Sequence, residues 1–316
     1  MSEFNLIRDY FTWNTSNDHI KLSVGDDAAI LKSEADKDLV VSIDTSISGK
    51  HFPVNTPASD IGHKTLAVNL SDLAAMGATP SWFTLALTLP DYDPDWLELF
   101  SSGMRALATE HNIHLIGGDT TRGTLSVTIQ VAGTVTSGKS LLRGGAQTGD
   151  LICASGYPGD AAAGLACIQQ TIQLPQEHAQ YCTQRLNTPV PQITLGKILL
   201  EHANSCIDIS DGLLADLEHI LQSSGKGAEI TTRQLPFSPA LLSLPIQQRE
   251  GYALNGGDDY ELLFTLPPEK FKQAHQDAQQ QGILISAIGE ITSQAGQLTV
   301  NGKQVTNIEG YNHFNT

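Results

Sequence analysis

A chain of 316 residues with 40% hydrophobic and 16% charged residues has the composition of a globular protein with room for two domains. Its net charge of −16 argues against a general nucleic-acid binder, which would carry a basic footprint. A small anionic substrate stays open, because bound cations reverse the local field. The opening MSEFNLIRDYFTW lacks the basic start and apolar core of a secretory signal, and no apolar run approaches membrane-spanning length. Cys153, Cys167, Cys182 and Cys206 are scattered, with no C-x-x-C pair. A zinc site or disulfide framework is therefore not expected, and they read as reduced residues of a cytoplasmic protein.

In chain order, VGDDAAIL sets Asp26 and Asp27 before an apolar run. DLVVSID reads as a strand ending at Asp44, and its period of two puts Val40, Ser42 and Asp44 on one face. Residues 57–76 read as a helix closed by Gly77 and Pro80. Leu66, Leu70 and Leu73 form its apolar face, and Thr65, Asn69 and Asp72 form a polar stripe. A solvent-facing stripe is the ordinary reading, but Ala67, Val68, Ala74, Ala75 and Met76 leave the surroundings poor in charge. A lone carboxylate buried there would be costly unless paired or metal-bound.

SWFTLALTLP is a strand, residues 94–111 are a helix opened by Asp93-Pro94, and IHLIGG and TLSVTIQVAGTV are strands. The histidines of HNIH fall where the helix passes into a strand and read as structural. LIGGDTTRG places Asp119 directly after a strand, with Gly117 and Gly118 permitting close approach of a ligand to backbone. SGKSLLRGGAQTGD is rich in glycine and small polar residues, and the domain boundary falls near residues 138–149, giving domains 1–140 and 141–316. Its Arg143 is a candidate phosphate clamp or an ordinary linker residue.

The second half alternates again. Strand DLICASG, helices to about residue 203, strand CIDIS, helix LLADLEHIL, strand YELLFTL, helix 268–281 and strand ILISAIG follow in turn. Cys206, Asp208 and Ser210 share a face, and Asp211 suits the N-cap of the next helix. An N-cap does not explain Asp208 within an apolar strand. NGGDDYELLF repeats the Gly-Gly-Asp device at Asp258. Carboxylates at the ends of so many buried-looking elements form a set of hard oxygen ligands with no Cys and little His among them, which points to magnesium, with phosphates supplying the remaining ligands. There is no P-loop signature and no D-x-D-x-D-G calcium loop.

Taken together, VGDDAAIL, SIDTSISGKHF, KTLAVNLSDLAAMGATP, IGGDTTRG, LLRGGAQTGD, IDISDGL, GGDDYEL and the closing GYNHF resemble the thiamine-monophosphate kinase family. The resemblance runs in order from about residue 4 to 314. The family belongs to the ATP-binding superfamily that includes aminoimidazole ribonucleotide synthetase. The resemblance implies a mixed α/β (α+β) fold of two α/β domains. In it, N-terminal strands of two subunits form a barrel-like homodimer interface, and ATP sits in the cleft. It implies transfer of phosphate from ATP to thiamine monophosphate, giving ADP and thiamine diphosphate. Carried over by motif, Asp27, Ser42, Asp44, Asp72, Asp119, Asp208 and Asp211 hold several magnesium ions, with Ile43 contributing its backbone. Gly118, Asp119, Arg143 and Ser210 hold ATP, and His51, Asp258 and Tyr311 contact thiamine monophosphate. Many relatives carry an acidic residue at Asn312 and glutamate at Asp258.

The acceptor is a phosphate monoester with a second pKa of roughly 6, so no protein base is needed to make it nucleophilic. Repulsion between two polyanions is the obstacle, and direct in-line transfer without a phosphoenzyme is expected, with His51 binding the acceptor instead of acting as a base. Two rivals are a sister ATP-dependent enzyme with another acceptor, such as a purine intermediate or selenide, and a non-catalytic nucleotide or cation sensor. The first 150 residues contain no Cys, which counts against selenide chemistry.

Overall fold

The computed structural model describes residues 7–13, 20–22, 30–31 and 35–306. They divide into two compact units. One takes the chain to Leu73 together with Ala78–Gly138, and the other takes Ala74–Gly77 with everything from Lys139 onward.

In the first unit a short antiparallel pair, β1 (Ile20–Leu22) and β2 (Ile30–Leu31), precedes the main elements. These are β3 (Lys37–Ile47), α1 (Ala58–Ala75), β4 (Thr79–Leu89), α2 (Pro94–Glu110), β5 (His114–Arg122) and β6 (Ser126–Thr136). The four long strands form one sheet in the order β3-β6-β4-β5. Only β4 and β5 are parallel, and the crossover such a pair requires is supplied by α2. Asp93 starts α2: its Oδ1 accepts from the N–H groups of Asp95 (3.0 Å) and Trp96 (3.1 Å), with Pro94 at the first helical position.

One face of this sheet is core. Val127, Ile129 and Val131 of β6 and Phe83, Leu85 and Leu87 of β4 alternate inward and are buried. In α1, Leu66, Leu70 and Leu73 are fully buried, each worth about 1.5–3 kcal/mol relative to exposure.

β3 does not stop at Asp44. β6 pairs with it from Lys37↔Thr136 to Ile47↔Ser126, so the ladder carries it to Ile47. β5 likewise runs past Asp119 to Arg122, because β4 offers a partner as far as Leu89. Asp119 therefore lies within a strand, and the sequence expectation that it follows one is corrected.

The second unit holds a seven-stranded sheet in the order β13-β12-β9-β11-β7-β10-β8. Its strands are β7 (Leu151–Ser155), β8 (Ser205–Asp208), β9 (Gly227–Ile230), β10 (Leu262–Leu266), β11 (Ile285–Thr292), β12 (Leu298–Val300) and β13 (Lys303–Gln304). The helices are α3 (Asp160–Ile168), α4 (Gln176–Asn187), α5 (Ile193–Leu199), α6 (Leu213–Ser224), α7 (Pro239–Leu242), α8 (Ile246–Asn255) and α9 (Pro268–Gln280). β10 has strands on both sides and is buried throughout, which is why LLFTL is nearly all apolar. Its one hydroxyl, Thr265 Oγ1, lies 2.7 Å from Ser205 Oγ of β8. α6 closes on Gly225 in the left-handed conformation (φ +64°). The cysteines stand free, and no described helix is long and apolar enough to cross a membrane.

Candidate active site

The polar stripe of α1 faces the end of β3, not solvent. Thr65 and Asn69 are buried. Asn69 Nδ2 donates to the Thr65 carbonyl at 2.9 Å, and its Oδ1 accepts from the Asp44 backbone N–H at 3.1 Å. Asp72 Oδ2 accepts from Ser42 Oγ at 2.5 Å. Ser42 and Asp44 thus share the face that α1 covers, as the strand period predicts, and the Asp44 carboxylate remains exposed. Ile43 points its side chain to the opposite face, leaving only its backbone to take part. In the turn after β3, His51 Nδ1 accepts from the Ile47 N–H at 3.0 Å.

Gly118 and Asp119 stand elsewhere on the same sheet. Gly118 lies opposite Leu85, and a Cβ there would overlap the Leu85 carbonyl oxygen, so the neighbouring strand itself requires glycine. Asp119 is exposed in the row of Ala86, Thr128 and Thr45. Three strand spacings separate β5 from β3, about 14 Å, so Asp119 and Asp44 do not join one cluster within this sheet.

In the second unit, β8 ends at the buried Asp208, and the turn Ile209–Gly212 leads into α6. Asp211 does not cap that helix. Gly212 occupies the cap position at φ +127°, and the carboxylate of Asp216, one turn into α6, does the work of a cap. Its Oδ2 accepts from the N–H groups of Ser210 (3.0 Å), Asp211 (3.1 Å) and Gly212 (3.1 Å). Burial pushes Asp216 up to about 7, the charge of Asp211 adds to this, and the three amides pull the other way. No sequence signal singled out Asp216, since an acid in a first helical turn is common.

A second turn is laced to this one. The Asp258 N–H donates to the Ser210 carbonyl at 2.9 Å, Tyr260 N–H to the Ile209 carbonyl at 2.9 Å, and Ile209 N–H to the Glu261 carbonyl at 2.7 Å. The structure thereby brings Ser210 and Asp211 next to Asp258. Asp258 (φ 67°) and Tyr260 (φ 52°) are both left-handed, which costs roughly 1–2 kcal/mol each. Tyr260 Oη donates to Asp258 Oδ1 at 3.1 Å.

What offsets that strain lies underneath. Asp259 is buried at the start of α3, its Oδ2 accepting from Gly159 N–H at 2.6 Å and its Oδ1 from Ala161 N–H at 3.2 Å. Glu261 accepts from Arg185 Nη2 at 2.6 Å and from Ser155 Oγ, and Asp160 accepts from Tyr181 Oη (2.8 Å) and Ser238 Oγ (2.6 Å). Burial raises the pKa of Asp160, Asp259 and Glu261, while Arg185 draws Asp160 and Glu261 back down. Sequence reading picked Asp258 from this motif and missed its buried neighbour, because a doubled aspartate does not say which side chain turns inward.

Arg143 is exposed, on a segment whose Leu142 carbonyl accepts from Cys206 N–H at 2.9 Å. Gly145 and Ala146 N–H donate to Ser224 Oγ at the far end of α6 (3.2 and 3.1 Å). These contacts hold the segment beside β8 and the far end of α6. Asp27 and Tyr311 lie outside the described residues. Among the described residues, no three His, Cys, Asp or Glu side chains are gathered as a metal cluster.

The chain belongs to the AIR synthase related proteins, matching the N-terminal domain of that family over residues 25–136 and the C-terminal domain over 147–301. Within that class it is a member of the thiamine-monophosphate kinase family. The thiamine-monophosphate kinase of Escherichia coli (strain K12) is 44% identical over 99% of this chain and 98% of the relative. That of Bacillus subtilis (strain 168) is 31% identical over 99% of this chain and 100% of the relative. Among solved structures, the thiamine-monophosphate kinase of Stenotrophomonas maltophilia K279a superposes with a TM-score of 0.86 at 46% identity, covering 91% of this chain and 93% of that one. AaThiL complexed with AMPPCP and TMP gives 0.80 at 30% identity, covering 92% of each chain.

Proposed function

We propose that this chain transfers the terminal phosphate of ATP to thiamine monophosphate, giving ADP and thiamine diphosphate. The observation that carries the reading is 44% identity, across nearly the whole length of both chains, to an enzyme named for that substrate. A relative that covers 92% of this chain was solved with AMPPCP and TMP. The laced turns of the second unit support the same reading, since they set a candidate nucleotide group, Ser210 and Asp211, against a candidate acceptor group, Asp258.

The acceptor phosphate needs no general base. The chain's task is to bind two polyanions, align them and hold them together. Ser210 would meet the nucleotide phosphates, with Arg143 and the Gly118-Asp119 segment as further contacts. Asp258, His51 and Tyr311 would hold thiamine monophosphate. His51 has Nδ1 engaged as an acceptor, which suits a binding role.

The donor set fits magnesium. Asp27, Asp44, Asp72, Asp119, Asp208 and Asp211, with the Ser42 hydroxyl and the Ile43 carbonyl, are all hard oxygen donors. Magnesium commonly takes one or two carboxylates plus substrate phosphates and water, so a preformed cage of three carboxylates is not required. When bound, it supplies charge neutralisation and alignment of the reacting oxygens. The free cysteines agree with a reducing, cytoplasmic setting.

The test is a product assay with ATP, magnesium and either thiamine monophosphate or free thiamine. Thiamine diphosphate and ADP are expected together, only with the monophosphate and only with divalent metal. A labelled phosphoenzyme after incubation with γ-labelled ATP would overturn direct transfer.

The open face of the first sheet supports a homodimer with a barrel-like contact between N-terminal strands. Leu39, Val41, Ile43 and Ile47 are 59%, 46%, 60% and 38% exposed in one row of an edge strand. Such a row is a template for pairing with another chain. Val41→Lys is expected to halve the mass measured by light scattering. A mass unchanged from wild type would move the contact to another surface.

A further inference from the structure

Three consecutive N–H groups, of Ser210, Asp211 and Gly212, converge on one point before α6. Such a convergence at a helix start is ordinarily a seat for an anion, often a phosphate. Here the anion belongs to the chain. Asp216 Oδ2 occupies the seat at 3.0–3.1 Å from all three nitrogens, and the residue is 2% exposed.

We propose that Asp216 is the positioning residue of this turn: it contacts neither phosphate nor metal, and it fixes the backbone from which Ser210 and Asp211 present their side chains. The inference rests on reading Ser210 and Asp211 as the nucleotide- and metal-holding group.

Three features support it. With the amides occupied, a phosphate at this turn must be met by side chains and cations, which is the arrangement the surrounding carboxylates suit. Gly212 sits at φ +127° and ψ 144°, a region glycine enters at little cost but does not hold by itself, so the turn needs an external restraint. Ser210 is gripped on both sides: its N–H by Asp216, and its carbonyl by the Asp258 N–H. A shift of this turn would therefore reach the acceptor loop.

The experiment compares Asp216→Ala and Asp216→Asn with wild type in the full-length protein, by two readouts other than turnover. These are amide hydrogen exchange across residues 210–212 and calorimetric affinity for AMPPCP with magnesium. In Asp216→Ala, exchange at these amides is expected to rise and affinity to fall, each by about tenfold or more, because the three bonds to one buried carboxyl oxygen are lost together. Asp216→Asn keeps an oxygen acceptor and is expected to recover most of both. If Asp216→Ala does not fold, Asp216→Ser, which can satisfy fewer amides, is expected to show the same losses. Faster exchange with affinity within twofold of wild type would reduce Asp216 to a structural cap and overturn the proposal. Asp211→Asn is the control. If it leaves magnesium-AMPPCP affinity unchanged, the assignment of the turn itself fails; if it weakens affinity while Asp216→Ala does not, the positioning role fails alone.

Discussion

Replacing Asp72 or Asp211 with asparagine is expected to lower turnover by about 10²–10³-fold, the usual scale for removing one preorganised electrostatic group, while the protein stays folded. Asparagine keeps the shape of each side chain and removes its charge. At Asp72 the amide oxygen can still accept from Ser42 Oγ, so the α1–β3 contact survives and only the field changes. At Asp211 the grip of Asp216 is on the backbone N–H, which the substitution leaves in place. The loss should therefore fall on kcat and on the divalent-metal requirement, with thermal melting of the ligand-free protein unchanged or slightly raised as carboxylate repulsion relaxes. Steady-state kinetics across a magnesium series, beside melting curves, checks this. Wild-type turnover in both variants would remove these residues from the site.

Local geometry was legible in the sequence wherever a period fixed it. The pairing of Ser42 and Asp44 on one face follows from alternation along a strand, and the Thr65, Asn69 and Asp72 stripe follows from helical spacing. What that stripe faces was not legible, because a polar stripe looks the same over solvent and over a strand end; the Asn69–Asp44 bond is a tertiary fact. Strand length was not legible either. β5 extends through Asp119 because β4 continues beside it, and no residue near Asp119 carries that information. The buried supports escaped for a third reason. Asp216, Asp259 and Glu261 earn their roles from amides and an arginine that are distant in sequence or offered by the backbone, and neither has a composition signal. Carboxylates such as Asp44 and Asp72 are the ones a sequence pattern can pick out, while the buried Asp216 and Asp259 bond backbone amides and are seen only in the fold.

Arg185→Met is expected to destabilise the protein by about 3 kcal/mol, near the lower end for breaking a buried ion pair, since Arg185 keeps 19% of its side chain exposed. Methionine retains much of the volume, so the loss is chiefly electrostatic. Arg185 bonds Glu261 at 2.6 Å and offsets the charge of Asp160 as well. Without it, the pKa values of both carboxylates, already raised by burial, rise further. A carboxylate whose folded pKa exceeds its unfolded value binds more protons in the native state. Its stability contribution is present below the unfolded pKa and is lost as pH rises through the folded one. The deficit of Arg185→Met should therefore be larger at pH 8 than at pH 5. Melting curves of variant and wild type at the two values measure this, and equal deficits would assign the loss to packing of the arginine stem. Because the Glu261 carbonyl accepts from Ile209 N–H, the same change should loosen the joint between the Ser210 and Asp258 turns. KM for thiamine monophosphate should then rise even at pH 5, where the fold is most nearly preserved.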